Sequence, residues 1–235
     1  MPEFAEPVDA LASRLAEIDT RIADAARAAG RRPEALTRIV VTKFHPPSLV
    51  EALYGLGVRD VGENRQQEFS AKAAEVGRLD GLRWHFIGQA QTNKARAIRA
   101  AASAVHSVDR ARLADALDAA AEPGSPVLDV LLQVNLTDDP GRGGVTPGEL
   151  EALAVHAAGL PTLRVRGIMA VAPLEVAPAR AFERLPSLAG TVRAVVPDAD
   201  WISAGMTADF AEAIAAGATH LRIGSAITGP RPLRG

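Results

Sequence analysis

Lys43 closes a short apolar run, Ile39-Val40-Val41, just before the chain turns at Pro46 and Pro47. A buried ammonium is costly, so an amine held in such a place loses its proton more easily than one in water. Only the neutral amine attacks an aldehyde or ketone. Read as a buried strand-end amine, Lys43 is a candidate Schiff-base lysine; the structural alternative is a lysine that snorkels to solvent. Near the other end of the chain, "SAGMTADF" places Ser203, Gly205 and Thr207 ahead of a helical pattern, with Thr207 expected as its cap and Asp209 in its first turn. "RIGSAITG" follows, with Gly224 and Ser225. Free amides at helix starts attract anions, so the two turns read together as a phosphate site. An amine facing a phosphate site suits a phosphorylated sugar, as in a lysine-dependent aldolase, or pyridoxal 5′-phosphate (PLP). Arg222 lies two residues before Gly224 and shares its strand face. Against a pyridine nitrogen it would donate a hydrogen bond and keep its own proton, leaving the nitrogen unprotonated. Its structural alternative is an ion pair with Glu63.

These residues need elements to bring them together. Residues 8–29 carry Val8, Leu11, Leu15, Ile18 and Ile22 at helical spacing, and Gly30 is a stop. Beyond it, apolar runs at 38–42, 58–61, 84–88, 104–108, 127–136, 163–171, 200–204 and 220–227 alternate with helical patterns. Strands separated by single helices imply a parallel sheet with right-handed crossovers. Eight of them imply a closed (β/α)8 TIM barrel, an α/β fold, with an extra N-terminal helix; a doubly wound open sheet is the alternative. No linker divides the chain, so residues 1–235 are read as one domain, with the barrel over about 37–229. In that fold the chemistry collects on the loops after the strands. Lys43, Asn64, His85, Asn135 and the two glycine-hydroxyl turns all fall at that rim. The loop 137–145, "TDDPGRGGV", is expected to be the most mobile segment.

Composition narrows the classes. The chain has 235 residues, a net charge of −2 and no cysteine. Disulfides and thiolate metal sites are excluded, and a general nucleic-acid or membrane footprint is not expected. Five histidines show no metal spacing such as HExxH, so no metal site is expected. The acidic N-terminus lacks a signal-peptide layout and no apolar run reaches a membrane span, which fits a cytoplasmic protein. Lys94, Arg96 and Arg99 read as a solvated basic helical face.

The motifs "VVTKFHP", "VGENRQQE", "WHFIGQAQTNK", "SVDR", "QVNL", "GIMAVAP" and "SAGMTADFAEAIAAGATHLRIGSAITG" resemble the pyridoxal phosphate homeostasis proteins, once labelled proline synthase co-transcribed. That family resembles the barrel of alanine racemase without its second, β-rich domain. The resemblance implies that Lys43 holds PLP as an internal aldimine and that Arg222 faces the ring nitrogen. It implies phosphate contacts from Ser203, Thr207, Gly224 and Ser225, with Asn64 and Met169 lining the ring. It also implies PLP storage, buffering or delivery, without turnover and with no assigned catalytic residue. The recipients would be apo PLP-dependent enzymes, and a monomer is expected. The chain departs from the family at Gln89 and Ala90 and at Thr207, where serine is usual. The competing class is an enzyme, a racemase or an aldolase. A racemase needs a second acid/base opposite Lys43; His85 is a candidate, though a core histidine is the plainer reading, and Tyr54 is expected on the barrel exterior.

Overall fold

The structure, a computed structural model, describes residues 6–139 and 141–230. Eight strands form a closed barrel in chain order: β1 (Thr37–Val41), β2 (Asp60–Glu63), β3 (Arg83–Phe86), β4 (Ala104–Val108), β5 (Leu128–Gln133), β6 (Leu163–Met169), β7 (Trp201–Ser203) and β8 (His220–Ile223). Every pairing is parallel, and β1 closes on β8 with Ile39 opposite Arg222 and Val40 opposite Ile223. Around it run α1 (Val8–Ala28), α2 (Pro47–Gly55), α3 (Gln66–Val76), α4 (Ala95–Ala101), α5 (Ala111–Ala119), α6 (Leu150–Ala158), α7 (Pro178–Phe182), α8 (Leu185–Val195), α9 (Phe210–Ala215) and α10 (Ser225–Thr228). This is the (β/α)8 TIM barrel the strand–helix alternation predicts, and the open sheet is set aside.

Helix α1 buries Leu11, Leu15, Ile18, Ile22 and Ala26, one stripe at helical spacing, whereas Val8 at its start is exposed. The stripe packs against α9 and α10, and Arg14 Nε donates to the Ile227 carbonyl at 2.7 Å. The main apolar core lies between strands and helices. Phe69 on α3 meets the rings of Trp84 and Phe86 on β3 at 5.8 Å each, all three buried. Truncating Phe69 to alanine there would cost about 3–5 kcal/mol.

The interior face of the barrel is different. A Cβ on Gly62 would lie 3.0 Å from Ile39 Cγ2, 3.4 Å from Ile87 Cδ1 and 3.7 Å from Val41 Cγ2, so Ile39, Val41 and Ile87 share the interior with that position. Toward the N-terminal ends of the strands the interior is polar and closed. Arg83 Nη2 donates to Asp60 Oδ2 at 2.9 Å and Arg164 Nε to Asp129 Oδ1 at 2.5 Å. Arg166 stacks over Trp201 at 4.5 Å, and Trp201 over His220 at 4.1 Å.

Three expectations need correction. The runs at 127–136, 163–171 and 220–227 outlast their strands, because the residues past Gln133, Met169 and Ile223 leave the ladder for the mouth loops. Thr207 does not cap a helix: α9 begins at Phe210 with Asp209 at its N-cap, whose Oδ1 accepts the Met206 amide at 2.5 Å. Arg99 is no part of a solvated face; it is buried and donates to the carbonyls of Leu117, Pro126 and Thr162. In loop 137–145, whose Pro140 lies outside the described residues, Asn135 Nδ2 donates to the carbonyls of Asp139 (2.8 Å) and Arg142 (3.3 Å), and Val134 bridges to Val145.

Candidate functional site

The mouth is built where the ends of β7, β8, β1 and β2 adjoin. Lys43 lies two residues past the end of β1, and its side chain is exposed. Of the two sequence readings, a buried amine and a lysine that reaches solvent, the structure shows the exposure of the second, because the chain turns away at once. Phe44 takes a φ of +70°, in the left-handed region that non-glycine residues seldom occupy. Lys43 Nζ sits 5.8 Å from the Phe44 ring centroid, and the guanidinium carbon of Arg65 lies 5.1 Å from the same ring. Beneath this turn, Lys72 on α3 donates to the Thr42 carbonyl at 2.8 Å and pairs with Glu63. Thr42 Oγ1 donates to Glu63 Oε1 at 2.7 Å. Burial pushes the Glu63 carboxyl upward, opposed by the Lys72 charge and by the hydrogen bonds from Lys72 and Thr42. Glu63 is thus spent on Lys72, and the ion pair considered for Arg222 does not form.

Across the β1–β8 seam, a Cβ on Gly224 would lie 3.6 Å from Val41 Cβ, so the turn after β8 sits directly beside the strand that leads to Lys43. Ser225 is exposed and opens α10, and Thr207 is half-buried in the loop after β7. The amides of Thr207, Ala208, Ser225 and Ala226 donate to no backbone carbonyl among the described residues. A short extra helix after β8, beside the loop after β7, is where this fold commonly seats a phosphate. Met169 is buried at the end of β6, and Asn64 is half-buried just past β2 with Oδ1 buried and unpartnered among the described residues. A buried orphan acceptor at a mouth is a place for a ligand or water to satisfy.

Arg222 and Ser203 lie deeper. Both are buried, and Arg222 Nη1 donates to Ser203 Oγ at 2.7 Å while Nη2 donates to the Ala170 carbonyl at 2.8 Å. The Ser203 hydroxyl therefore belongs to Arg222 and not to the phosphate turns. Burial pushes the Arg222 guanidinium down to about 10, with the Asp209 charge opposing, so it stays a cation at neutral pH. On the far side of Ser203, sequence reasoning named His85 as a candidate base or core histidine but missed His106 and Asp60. His106 Nδ1 is 2.9 Å from Ser203 Oγ, His106 Nε2 is 2.9 Å from His85 Nδ1, and His85 Nε2 is 2.8 Å from Asp60 Oδ1. His85 is a core histidine. Period-two placement of His85 and His106 on inward strand faces was the available signal.

The sequence profile of the family described as alanine racemase, N-terminal domain, matches residues 14–232. The pyridoxal phosphate homeostasis protein of Mycobacterium tuberculosis (strain ATCC 25618 / H37Rv) is 40% identical over 242 residues, covering 95% of this chain and 94% of that one. The chain belongs to the pyridoxal phosphate homeostasis protein family. The family protein of Escherichia coli (strain K12) is 38% identical over 226 residues, covering 94% of this chain and 97% of that one. Among solved structures, PipY of Synechococcus elongatus with PLP bound superposes with a TM-score of 0.81 at 32% identity, over 93% of this chain and all of that one. The described residues form a closed eight-stranded barrel, matching the N-terminal domain of the alanine-racemase family. No described helix is long and apolar enough to cross a membrane, and no group of three or more metal-ligating residues occurs among the described residues.

Proposed function

We propose that this chain binds PLP at the mouth and holds it for storage, buffering or delivery. PLP supplies an aldehyde that an amine can capture and a phosphate that can anchor it. The residues present fit such a group. Lys43 offers the amine, exposed two residues past the Val41 that adjoins the β8 turn. Thr207, Gly224 and Ser225 offer hydroxyls, open amides and a position without a side chain. Arg222 has three of its five N–H groups left after Ser203 and Ala170, enough to donate to a ring nitrogen without yielding its proton. Asn64 and Met169 complete the walls. The observation that carries the reading is the closeness of Gly224 to Val41 across the β1–β8 seam, two residues before Lys43. The relatives' names and the PLP in PipY support the same ligand. A cytoplasmic setting and apo PLP enzymes as recipients belong to this reading.

A racemase needs a second acid/base at the mouth, and none of the candidates serves. His85 is engaged below, between Asp60 and His106. Tyr54 lies on α2, its hydroxyl on the Asp80 carbonyl at 2.9 Å.

The test compares PLP with pyridoxal by equilibrium dialysis. PLP is expected to bind at least about a hundredfold tighter, given two or more charge-assisted hydrogen bonds. Replacing Thr207 and Ser225 together by alanine erodes that preference about tenfold or more, while leaving pyridoxal binding near the wild-type value. An undiminished preference in the double variant places the phosphate elsewhere and overturns the site.

A further inference from the structure

We infer that Asp60, His85, His106 and Ser203 form a one-directional hydrogen-bond chain through the barrel that holds Arg222 as a fixed donor for the ligand, making them positioning residues of the mouth. The inference rests on the PLP reading only for the identity of that ligand.

The direction of the chain follows from chemistry. A guanidinium has donors and no acceptor, so Ser203 Oγ accepts from Arg222. Among the described residues the only other partner of that hydroxyl is His106 Nδ1, so the Ser203 proton goes there. His106 then carries its own proton on Nε2 and donates to His85 Nδ1. His85 in turn carries its proton on Nε2 and donates to Asp60 Oδ1. Asp60 ends the chain as a carboxylate, its other oxygen taken by Arg83. Each link has one donor and one acceptor, and every donor points away from the mouth. The reverse order would leave the Ser203 hydroxyl proton without an acceptor at a fully buried site, an arrangement proteins avoid.

The charge states agree. Burial pushes His106 well below its ordinary value, so it is neutral and has one proton to give. Burial pushes the Asp60 carboxyl upward, but the hydrogen bonds from His85 and Arg83 outweigh it and hold the group below its ordinary value.

A surface arginine swings among rotamers. Here Ser203 on β7 and Ala170 past β6 grip the two terminal nitrogens of one guanidinium, and the chain behind Ser203 keeps that hydroxyl from turning away. None of the four positioning residues has to touch the ligand. Together they join the closed floor of the barrel to its open mouth, through partners 19 to 97 positions apart in sequence.

Nitrogen-15 NMR on the protein without ligand reads the chain directly. Both His85 and His106 are expected as Nε2–H tautomers at pH 7, and the two Arg222 Nη groups as separate, slowly rotating signals. In His85→Leu the Arg222 signals merge, and PLP affinity falls about three- to tenfold, the equivalent of one net hydrogen bond. The surface control His156→Leu changes neither. An Nδ1–H tautomer on His106 in the wild type overturns the inference, as do unchanged Arg222 signals in His85→Leu. Should His85→Leu fail to fold, the wild-type tautomers decide. A wild type that bound no PLP would sink the proposed function, while the tautomers and the Arg222 signals would still decide the chain.

Discussion

The floor and the mouth of this barrel are made from the same residue types and treat them in opposite ways. At the floor Asp60, Arg83, Asp129 and Arg164 are paired, and Arg166, Trp201 and His220 are stacked on one another. At the mouth Lys43 and Ser225 are exposed, and among the described residues the Asn64 oxygen lacks a partner and the amides of Thr207, Ala208, Ser225 and Ala226 have no backbone acceptor. Two lysines make the contrast sharpest. Lys72 is buried and fully engaged with Glu63 and the Thr42 carbonyl. Lys43, one residue past Thr42, projects into the open. Paired and stacked polar groups specify a structure; exposed polar groups and open amides gathered at one rim mark where a ligand can bind.

The largest effect that can break this comparison is on stability. Lys72→Ala leaves a carboxylate buried beside nothing that balances it, at a cost of about 3–5 kcal/mol. Lys43→Ala removes an exposed side chain and is expected to cost no more than about 0.5 kcal/mol. Urea denaturation of the two variants measures both. Similar losses for both would erase the distinction.

Acid comes next. Burial, with neighbouring charges, holds His106 well below and His220 down to about 3. Both take up protons near 6.5 in the unfolded chain and stay neutral in the folded one. The unfolded state therefore binds more protons below that value. Their contribution is complete above about pH 6.5 and is lost as the pH falls, by about 4 kcal/mol for the pair between pH 7.5 and 5. Denaturation of the protein without ligand across that range checks the slope, and His220→Phe should remove about half of it. A flat profile would mean that these imidazoles are not held neutral.

The smallest expected effect is on catalysis. With one amine at the mouth and His85 engaged below, L-alanine in deuterium oxide should show no Cα exchange or racemisation above about one event per minute, against a usual enzymatic turnover of about 10 per second. Several turnovers per second, abolished by His85→Ala, would turn the mouth into an enzyme site.

Much of the fold was legible because its signals are local. Apolar runs alternating with helical patterns gave the eight strands, and the 3–4 spacing of Leu11, Leu15, Ile18 and Ile22 gave α1. Lys43, Gly224 and Ser225 were legible as a site through their places at strand ends. What stayed hidden depends on closure. Asp60 and His106 are unremarkable along the chain, and they meet His85 only when β2, β3 and β4 line up side by side. Ser203 read as a phosphate hydroxyl because its neighbours in sequence are loop-like, yet it is the last residue of β7 and faces Arg222. Arg99 read as solvated because nothing in its own helix shows that the Leu117, Pro126 and Thr162 carbonyls surround it. The exposure of Lys43 turns on the left-handed turn at Phe44, which a phenylalanine does not announce.

The most direct test is to load the protein with PLP, reduce it with borohydride and map the adduct by peptide mass spectrometry. A single adduct on the peptide containing Lys43, absent from Lys43→Ala, is the expected result. An adduct confined to Lys94, or one that persists in Lys43→Ala, would contradict the assignment of the mouth.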